Sequence, residues 1–539
     1  MKVLFVNPSL RPSAPHRFIP VGLGYVVTSA RDAGFEFDLL DIDIGDYDDG
    51  YVERYIRDHS YDVIALGSIV THYKWIKWFT KMVREHQPDC RIVLGNSVGS
   101  SIVDVVFANM PTDVVVLGEG DVTILDVLRA VRDDQPFGHI KEPAKIVPGW
   151  NGPNFPPMYE GTGIPGIAFR DDHGRIIYNG RRKAERHIDD FPFPDWDLFD
   201  VEQYIQRSRA YAPDSVFFPK DQARVLPINT ARGCVFKCTF CHYVFWHDPY
   251  RHRSAQNILG EIERNIKKYD ANYFRFWDEL SFHKLGPAEK FVDALINAGV
   301  RVHWTAAVRS DLFGSDDAPY EDRVRVAGKF KEAGCLHLGY SLESGNDHIL
   351  EAMNKRIKSD YFSVQVNLLR DAGIISNTSL IFGYPQEDKE TIANTMRMCE
   401  SLRIYPSVGF LLPLPETGMW RYALEHGHIT DPEKFLSEMT ERQDIVLNMT
   451  KMSDDEMLGE VTRWLAHLNE KFGRNLDPDK LIKTGGSANH NKHQVKEVQQ
   501  KKAFALNMAN AQGVPEMLGN WDGVSVGNDA TAAGVPENC

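Results

Sequence analysis

Two series of short apolar runs, each run followed by an amphipathic segment, constrain the fold of this chain more than any other feature. The first series fills residues 1–132 and repeats the pattern five times. It predicts strands at 2–6, 36–41, 63–67, 92–95 and 114–117. Five successive βα units predict an α/β domain with a doubly wound parallel sheet of the Rossmann or flavodoxin-like type. Such sheets bind ligands at the carboxyl ends of their strands.

The second series fills residues 223–430 and predicts a partial (βα)6 barrel, with its site at the carboxyl ends of the strands. Its predicted strands are 225–229, 273–277, 302–306, 336–342, 377–382 and 407–412. Residues 133–222 are predicted to be a linker that contains a hairpin, and residues 431–480 a small helical C-terminal cap. Residues 481–539 contain few large apolar side chains, so we expect a disordered tail there.

Three cysteines follow the first strand of the second series. Cys234, Cys238 and Cys241 stand in the spacing C-x3-C-x2-C. Thiolates favour iron–sulfur clusters, zinc or copper(I), and a set of three leaves one metal position open for an outside ligand. The structural alternative is a zinc site completed by His242 or Cys335, although zinc ligands more usually come as two separated pairs.

The cysteine loop, with Phe240 before its last cysteine, resembles the signature of the radical S-adenosylmethionine (SAM) enzymes. The resemblance implies a [4Fe-4S] cluster on the three cysteines, with SAM bound to the remaining iron. It also implies SAM-binding roles at the ends of the barrel strands, for Phe240, Asp278, Glu279, Arg309, Glu343, Ser344, Phe382 and Gly383. For Asp278 and Glu279 the alternative is a pair of solvated surface charges. The sixth strand runs into a stretch like the P-x-P-G-T of this class, with Glu416 in place of its glycine.

The first domain resembles the cobalamin-binding domain that precedes the barrel in one large class of these enzymes. The resemblance implies cobalamin contacts from Ser68, His72, Tyr73, Gly95, Asn96, Ser97, Gly118, Glu119, Gly120 and Thr123. Asn96 stands where members of the class often have a second glycine. Because this domain lacks the D-x-H-x-x-G motif that supplies a histidine to cobalt in other cobalamin proteins, we expect cobalamin bound with its base displaced and without that histidine ligand. His72 then packs beside the corrin or, as the alternative, ligates cobalt.

Together these resemblances imply a cobalamin-dependent radical SAM methyltransferase of the class B type. It would transfer a methyl group from SAM, via methylcobalamin, to an unactivated carbon or to phosphorus of a small-molecule biosynthetic intermediate. The alternative is a cyclase, oxidase or ring-rearranging enzyme that does not methylate. We expect an external electron donor of the flavodoxin or ferredoxin type. No catalytic residue is assigned beyond the cluster loop. A transfer-RNA methylthiotransferase is disfavoured because its N-terminal domain needs three further cluster cysteines, whereas this one has only Cys90.

Charge and cysteine content exclude several other classes. The net charge of −14 disfavours a broad nucleic-acid surface, which requires a basic field. The sequence contains no run of about 18 apolar residues, so we expect no membrane-inserted segment. The N-terminus lacks a secretory signal, and the remaining cysteines are scattered singly, so we expect a cytoplasmic protein without a disulfide framework.

Overall fold

The computed structural model describes residues 1–482, except for 13, 15, 150–154, 213–215, 217, 243–247 and 441. Both predicted α/β series are present, which confirms the predicted fold class. Residues 483–539, most of the predicted tail, lie outside the described residues. Leu481 and Ile482, at the start of the predicted tail, are buried in the core of the protein.

The first domain contains five parallel strands in the order β2-β1-β3-β4-β5. These strands are β1 (Val3–Asn7), β2 (Phe37–Asp41), β3 (Val63–Gly67), β4 (Arg91–Gly95) and β5 (Val114–Val116). The helices are α1 (Val21–Asp32), α2 (Ile42–Gly45), α3 (Asp49–Asp58), α4 (Tyr73–His86), α5 (Asn96–Ser100), α6 (Val103–Asn109) and α7 (Thr123–Arg132). The apolar runs at β3 and β5 are almost fully buried because helices cover both faces of the sheet. The strand order reverses between β1 and β3, which is where sheets of this type bind ligands.

The linker extends this first sheet. Its strands are β6 (Gly138–Ile140), β7 (Ile146–Val147), β8 (Met158–Gly163), β9 (Ile167–Arg170) and β10 (Ile176–Tyr178). The predicted hairpin forms from β9 and β10, and β9 pairs antiparallel with β5. The remaining order is β10-β8-β6, with β7 also paired to β8. The helix α8 (Val201–Ser208) follows and leads the chain toward the second domain.

The second domain contains a parallel barrel of six strand positions. Its strands are β11 (Val225–Ile228), β14 (Tyr273–Phe276), β15 (His303–Ala307), β16 (Cys335–Gly339), β17 (Ile375–Asn377), β18 (Ser379–Phe382) and β19 (Ser407–Phe410). The fifth position is divided into β17, which pairs with β16, and β18, which pairs with β19. A single bridge between Glu343 and Leu380 joins the two parts. A short antiparallel ribbon, β12 (Ala231–Arg232) with β13 (Arg251–His252), closes the base of the cysteine loop.

Helices flank this barrel and form the C-terminal cap. They are α9 (Ala255–Tyr269), α10 (Leu285–Asn297), α11 (Asp311–Gly314), α12 (Tyr320–Glu332), α13 (Asp347–Ala352), α14 (Ser359–Asp371), α15 (Lys389–Ser401), α16 (Gly418–Glu425), α17 (Pro432–Glu438) and α18 (Asp454–Lys471). The longest, α18, begins with a capping box between Ser453 and Glu456 and packs on α15. Within the described residues, no helix is both long and apolar enough to span a membrane.

Candidate active site

One cleft of about 1150 Å³ opens between the carboxyl ends of the two parallel sheets. The first domain contributes Ser68, His72, Gly95, Asn96, Gly118, Glu119 and Gly120 to its lining. The barrel contributes Phe240, Cys241, His242, Trp277 and Glu279, and the cap contributes Met439, Thr440, Arg442 and Gln443. The two sets of residues that the sequence placed on separate domains therefore face a common space.

The cysteine loop lies on the barrel wall of this cleft. Cys238 is buried, Cys234 and Cys241 are half-buried, and all three thiols are free of disulfide bonds. The Cys241 N–H donates to the Cys238 carbonyl at 3.2 Å, which turns the loop back on itself. Burial, together with the Cys238 and Cys234 sulfurs nearby, raises the pKa of the Cys241 thiol to about 12. The donor set suits a soft metal, although no group of three metal-binding side chains is already assembled among the described residues.

The barrel holds the loop at Thr239, between the second and third cysteines. The Thr239 N–H donates to the Met353 carbonyl at 2.9 Å, and its carbonyl accepts from the Met419 N–H at 2.9 Å. Its hydroxyl lies 2.9 Å from the Tyr384 hydroxyl. These contacts come from three separate barrel segments, so the position of the loop depends on the whole rim.

Asp278 is buried directly behind the start of the loop. Its carboxylate accepts hydrogen bonds from the Thr230 N–H at 2.8 Å, the Thr230 hydroxyl at 2.6 Å and the Ala231 N–H at 3.2 Å. It also accepts from Asn229 and from Ser281. The alternative of a solvated surface charge is therefore wrong for Asp278, because these contacts fix the turn between β11 and the cysteines. Its predicted contact with SAM stays a prediction.

Glu279 and His242 face the cleft with unusual proton affinities. The Glu279 side chain is open to the cleft, and protein surrounds it on its other sides. The loss of solvent around the carboxylate, together with the nearby Asp278 charge, raises its pKa to about 7. The His242 ring Nδ1 lies 2.9 Å from the Pro415 carbonyl, and burial lowers its pKa to about 4. His242 is therefore neutral at pH 7, with a proton on Nδ1 and an acceptor at Nε2.

The remaining predicted SAM residues of the third and fourth strands make contacts inside the barrel. Arg309 donates to the Lys355 carbonyl at 2.6 Å, and its guanidinium lies 3.4 Å from the ring centroid of Phe236. Glu343 forms a buried ion pair with Lys355. Ser344 is fully buried, and its hydroxyl lies 3.3 Å from that of Thr395.

At the fifth strand, Phe382 is fully buried and Gly383 has a φ of 108° that favours glycine. The Gly383 N–H donates to the Glu387 carboxylate at 2.5 Å, and the Tyr384 N–H donates to it at 3.2 Å. Burial raises the pKa of Glu387 to about 8. Sequence reasoning missed Glu387, because an acidic residue in a loop gives no sign of its burial.

The predicted cobalamin residues divide into those that line the cleft and those that support it. Ser68 and His72 line the cleft, and the Ser68 hydroxyl lies 3.1 Å from the His72 ring Nδ1. Ser97 accepts a hydrogen bond from the Val70 N–H at 2.8 Å, which fixes the turn after β3. Thr123 donates to the Glu119 carbonyl at 3.3 Å, and the buried Tyr73 donates to Glu433 at 3.2 Å.

Asn96 and Glu416 stand at positions where the resembled class has glycine, and both have a backbone conformation that favours glycine. Asn96 has a φ of 59° and Glu416 a φ of 66°. Asparagine tolerates this left-handed conformation, and its side-chain oxygen accepts from the Ser97 N–H at 2.6 Å. The loop after β4 therefore has the left-handed turn expected of a glycine loop.

Two family profiles match the chain and decide its family. The profile of the radical SAM superfamily matches residues 228–399, and that of the B12 binding domain matches residues 10–128. The chain belongs to the cobalamin-dependent radical SAM enzymes. Membership implies a [4Fe-4S] cluster, SAM and cobalamin as cofactors of the enzyme.

Three curated relatives of the enzyme are named for two kinds of reaction, cyclisation and methyl transfer. It is 25% identical over 407 residues to the anaerobic magnesium-protoporphyrin IX monomethyl ester cyclase of Rubrivivax gelatinosus, covering 74% of this chain and 65% of that protein's length. The chain is 23% identical over 434 residues to the uncharacterized methyltransferase PH0819 of Pyrococcus horikoshii, covering 79% of this chain and 83% of that protein's length. It is 23% identical over 527 residues to the cytidylyl-2-hydroxyethylphosphonate methyltransferase of Streptomyces wedmorensis, covering 88% and 90%.

Two solved structures share the fold of the enzyme. The cobalamin-dependent radical enzyme OxsB, with aqua-cobalamin and SAM bound, has a TM-score of 0.66 at 14% identity, covering 94% of this chain and 72% of that one. The radical SAM methyltransferase TsrM of Kitasatospora setae has a TM-score of 0.56 at 17% identity, covering 79% and 76%.

The cleft of the enzyme is shaped to receive a large ligand on the first domain. Gly22, Gly95 and Gly120 line it. A methyl group added at Gly22 would meet no atom within 4 Å, and one added at Gly120 would meet only the Val26 side chain at 3.5 Å. The absence of side chains at Gly22 and Gly120 therefore leaves open space along this part of the cleft.

Sequence reasoning missed part of the lining of the enzyme's cleft. Asn7 enters it from the end of β1, Arg17 and Phe18 enter it from the loop that follows, and Trp277 enters it directly after β14. Arg17 is almost fully buried and pairs with Asp43 at 3.2 Å. The available signal was the run of proline, serine and arginine after β1, which is too long for a simple βα turn.

Proposed function

We propose that this enzyme is a cobalamin-dependent radical SAM methyltransferase that acts on a small-molecule biosynthetic intermediate, at an unactivated carbon or at phosphorus. The observation that carries the proposal is that Cys241 lines the same cleft as Gly95, Gly118 and Gly120. A methyl group delivered from the corrin side and a radical generated on the cluster side would meet within this cleft.

Cys234, Cys238 and Cys241 would hold the cluster, and the loops at 67–72, 95–97 and 118–120 would hold cobalamin. When bound, the cluster supplies the electron that cleaves SAM homolytically, and cobalamin supplies a carrier for the methyl group. Phe240, Glu279 and the backbone near Gly383 would orient SAM against the open iron. Glu279, with its pKa near 7, can accept a hydrogen bond or a charge contact from the amino group of SAM.

The protein's own groups also exclude water and hold protons. Leu411, Leu412 and Met439 give part of the cleft wall an apolar surface that excludes water from a reactive intermediate. His242 stays neutral, and its Nδ1–H donates to the Pro415 carbonyl, which fixes the ring beside the cluster loop. Reduction of the cluster requires an outside one-electron donor, for which we propose a flavodoxin or ferredoxin.

Methyl transfer is supported by the relatives that align over most of their own length. The two methyltransferases are covered over 83% and 90% of their lengths. A second candidate function is supported by the similarity to the cyclase of Rubrivivax gelatinosus, of which the chain covers 65%. In that case the same cleft would support radical cyclisation or oxidation without methylation.

The products of SAM separate the two candidates. The enzyme would be reconstituted anaerobically with iron, sulfide and hydroxocobalamin, reduced with titanium citrate and incubated with SAM that carries a deuterated methyl group. Methyl transfer predicts S-adenosylhomocysteine in addition to 5′-deoxyadenosine, with the deuterated methyl group in the product. Turnover of the native substrate that yields 5′-deoxyadenosine without S-adenosylhomocysteine would overturn methyl transfer and support the cyclase-like candidate.

A further inference from the structure

Two arginines lie opposite each other at the base of the cysteine loop. Arg232 and Arg251 are cross-strand partners in the β12–β13 ribbon, where the chain enters and leaves the loop. Their side chains are 15% and 5% exposed. Like charges directly across a ribbon destabilise it, and a buried arginine requires a carboxylate partner. The ribbon therefore depends on charges from elsewhere in the protein.

Those charges come from the first domain. Asp121 accepts two parallel hydrogen bonds from Arg232, at 2.9 and 3.0 Å, in a bidentate arrangement. Glu119 lies 3.3 Å from Arg232 and also accepts a hydrogen bond from Arg251 at 3.1 Å. Asp121 is 7% exposed and Glu119 11%. One acidic segment thus neutralises both arginines of the ribbon.

Aromatic rings complete the contact. The Arg232 guanidinium lies 4.9 Å from the ring centroid of Tyr25 on α1 and 4.3 Å from that of Phe191 in the linker. Cation–π contacts of this kind are stronger when they are desolvated, as here. Arg232 is therefore held by the first domain, by the linker and by its own ribbon, and has little freedom to move independently of them.

The position of this group between the two cofactor sites gives it significance. Arg232 precedes Cys234 by two residues, and Glu119 belongs to the loop at 118–120 that lines the corrin side of the cleft. A shift of the loop at 118–121 therefore moves the base of the cysteine loop through ion pairs of fixed geometry. Rigid elements with paired buried charges transmit such shifts because the pairs are costly to break.

We propose that Arg232, Arg251, Glu119 and Asp121 form an arginine clamp that sets the distance between corrin and cluster, so that binding of cobalamin and binding of SAM are coupled. Arg232 is a positioning residue, since it acts through the loop that carries the cysteines. The clamp requires only the two cofactors, so it holds whether the enzyme methylates or cyclises. Its failure is therefore distinct from a failure of the proposed function.

Coupling is reciprocal and can be measured without any substrate. Hydroxocobalamin is titrated into the cluster-loaded full chain with and without saturating SAM, and its dissociation constant is read from the visible spectrum. In the natural protein we expect SAM to tighten cobalamin binding by about fivefold or more, a typical coupling strength. Asp121→Asn, which breaks the bidentate pair, is expected to reduce this ratio to below about twofold.

A second readout reports the geometry itself. The reduced cluster and cob(II)alamin both carry unpaired electrons, and their mutual broadening in electron paramagnetic resonance falls with the distance between them. The natural protein is expected to show a spin–spin interaction that corresponds to one well-defined distance. The Asp121→Asn variant is expected to show a weaker interaction with a wider spread of distances. Arg232→Lys retains the charge without the bidentate geometry, so it should give an intermediate result.

The matched control is Asp113→Asn. Asp113 pairs with Arg84 at 2.5 Å in the first domain, just before β5 and at the opposite end of the strands from the cleft. Asp113→Asn should lower the melting temperature by about as much as Asp121→Asn does. It should leave the coupling ratio and the spin interaction unchanged. The proposal is overturned if Asp121→Asn leaves the coupling ratio and the spin interaction as they are, or if Asp113→Asn alters them equally.

Discussion

Lys355 and Glu343 form an ion pair beneath the cysteine loop, with the Lys355 ammonium 2.9 Å from a Glu343 carboxylate oxygen and 5.8 Å from the ring centroid of Phe240. The side chains of the pair are 9% and 6% exposed. Glu343 also has a φ of 62°, an uncommon conformation for a glutamate. The barrel therefore holds a paired charge and a strained backbone next to the residue that precedes Cys241.

Removal of one member of this pair should destabilise the protein strongly. Lys355→Met leaves the Glu343 carboxylate buried without a partner, which costs about 3–5 kcal/mol of the free energy of unfolding. The double variant with Glu343→Gln should recover most of that loss, because no buried charge remains. Urea denaturation of the natural protein and of the two variants measures both effects. A single variant as stable as the natural protein would contradict the buried pairing.

Removal of a cluster cysteine should abolish binding of the cluster without affecting binding of cobalamin. Cys234→Ala is expected to abolish 5′-deoxyadenosine formation and to lower iron content after reconstitution, because three thiolates are needed to hold the cluster. Cobalamin uptake, measured from the visible spectrum, should be retained. Cys399→Ala removes a fully buried thiol of α15 and serves as the control, since it should leave the iron content unchanged.

Asp278 should control how firmly the cluster is retained. Asp278→Asn replaces a charged acceptor of several hydrogen bonds with a neutral amide, and hydrogen bonds to charged groups contribute about 1.5–3 kcal/mol each. We expect a stability loss in that range and a faster loss of iron on gel filtration. Ser281→Ala removes only one of these donors, so its effect on both measurements should be smaller.

Glu387 should make stability depend on pH. Its pKa is about 8 in the folded protein and ordinarily 4.5, so between these values the folded state holds a proton that the unfolded chain has lost. Stability therefore falls as pH rises through this window, by at most about 1.4 kcal/mol per pH unit. Glu387→Gln removes this contribution. The melting temperature of the variant, relative to that of the natural protein, should rise between pH 6 and pH 8.5, and a constant difference would refute the assignment.

Asn96 should tolerate glycine but not a β-branched residue. Its φ of 59° suits glycine, so Asn96→Gly should change the melting temperature by little more than the loss of its contact with the Ser97 N–H. Asn96→Val forces a branched side chain into the left-handed region and should weaken cobalamin binding as well as stability. Equal cobalamin affinity in the two variants would show that the backbone at this loop is unimportant for binding.

The strands could be predicted from sequence because burial on both faces produces continuous apolar runs, as at β3, where the predicted and observed bounds are both 63–67. The split of the fifth barrel strand into β17 and β18 could not be predicted, since it depends on which neighbours the two halves pair with. Local pattern also gave the hairpin of β9 and β10. Its union with β5 is a contact between segments more than 50 residues apart, which local pattern does not encode.

The site was predictable to the same degree. The strand-end positions of the two domains predicted a common region at the carboxyl ends of both sheets, and residues of both sets line one cleft there. Whether a polar residue lines the cleft or supports it depends on packing: Ser68 lines it, whereas Ser97 binds the Val70 N–H. The pairing of Arg232 with Asp121 joins residues 111 positions apart and leaves no trace in either local sequence.

The union of β9 with β5 bears on how the molecule can be divided. A fragment that stopped after α7 would leave the three valines of β5 at a bare sheet edge, with a row of unpaired backbone groups. Such edges recruit strands from other molecules and promote aggregation. The shortest fragment in which β5 keeps its neighbour and the hairpin is complete ends after β10, at Tyr178. The cobalamin-binding half should therefore be produced, or exchanged between relatives, as a unit of that length.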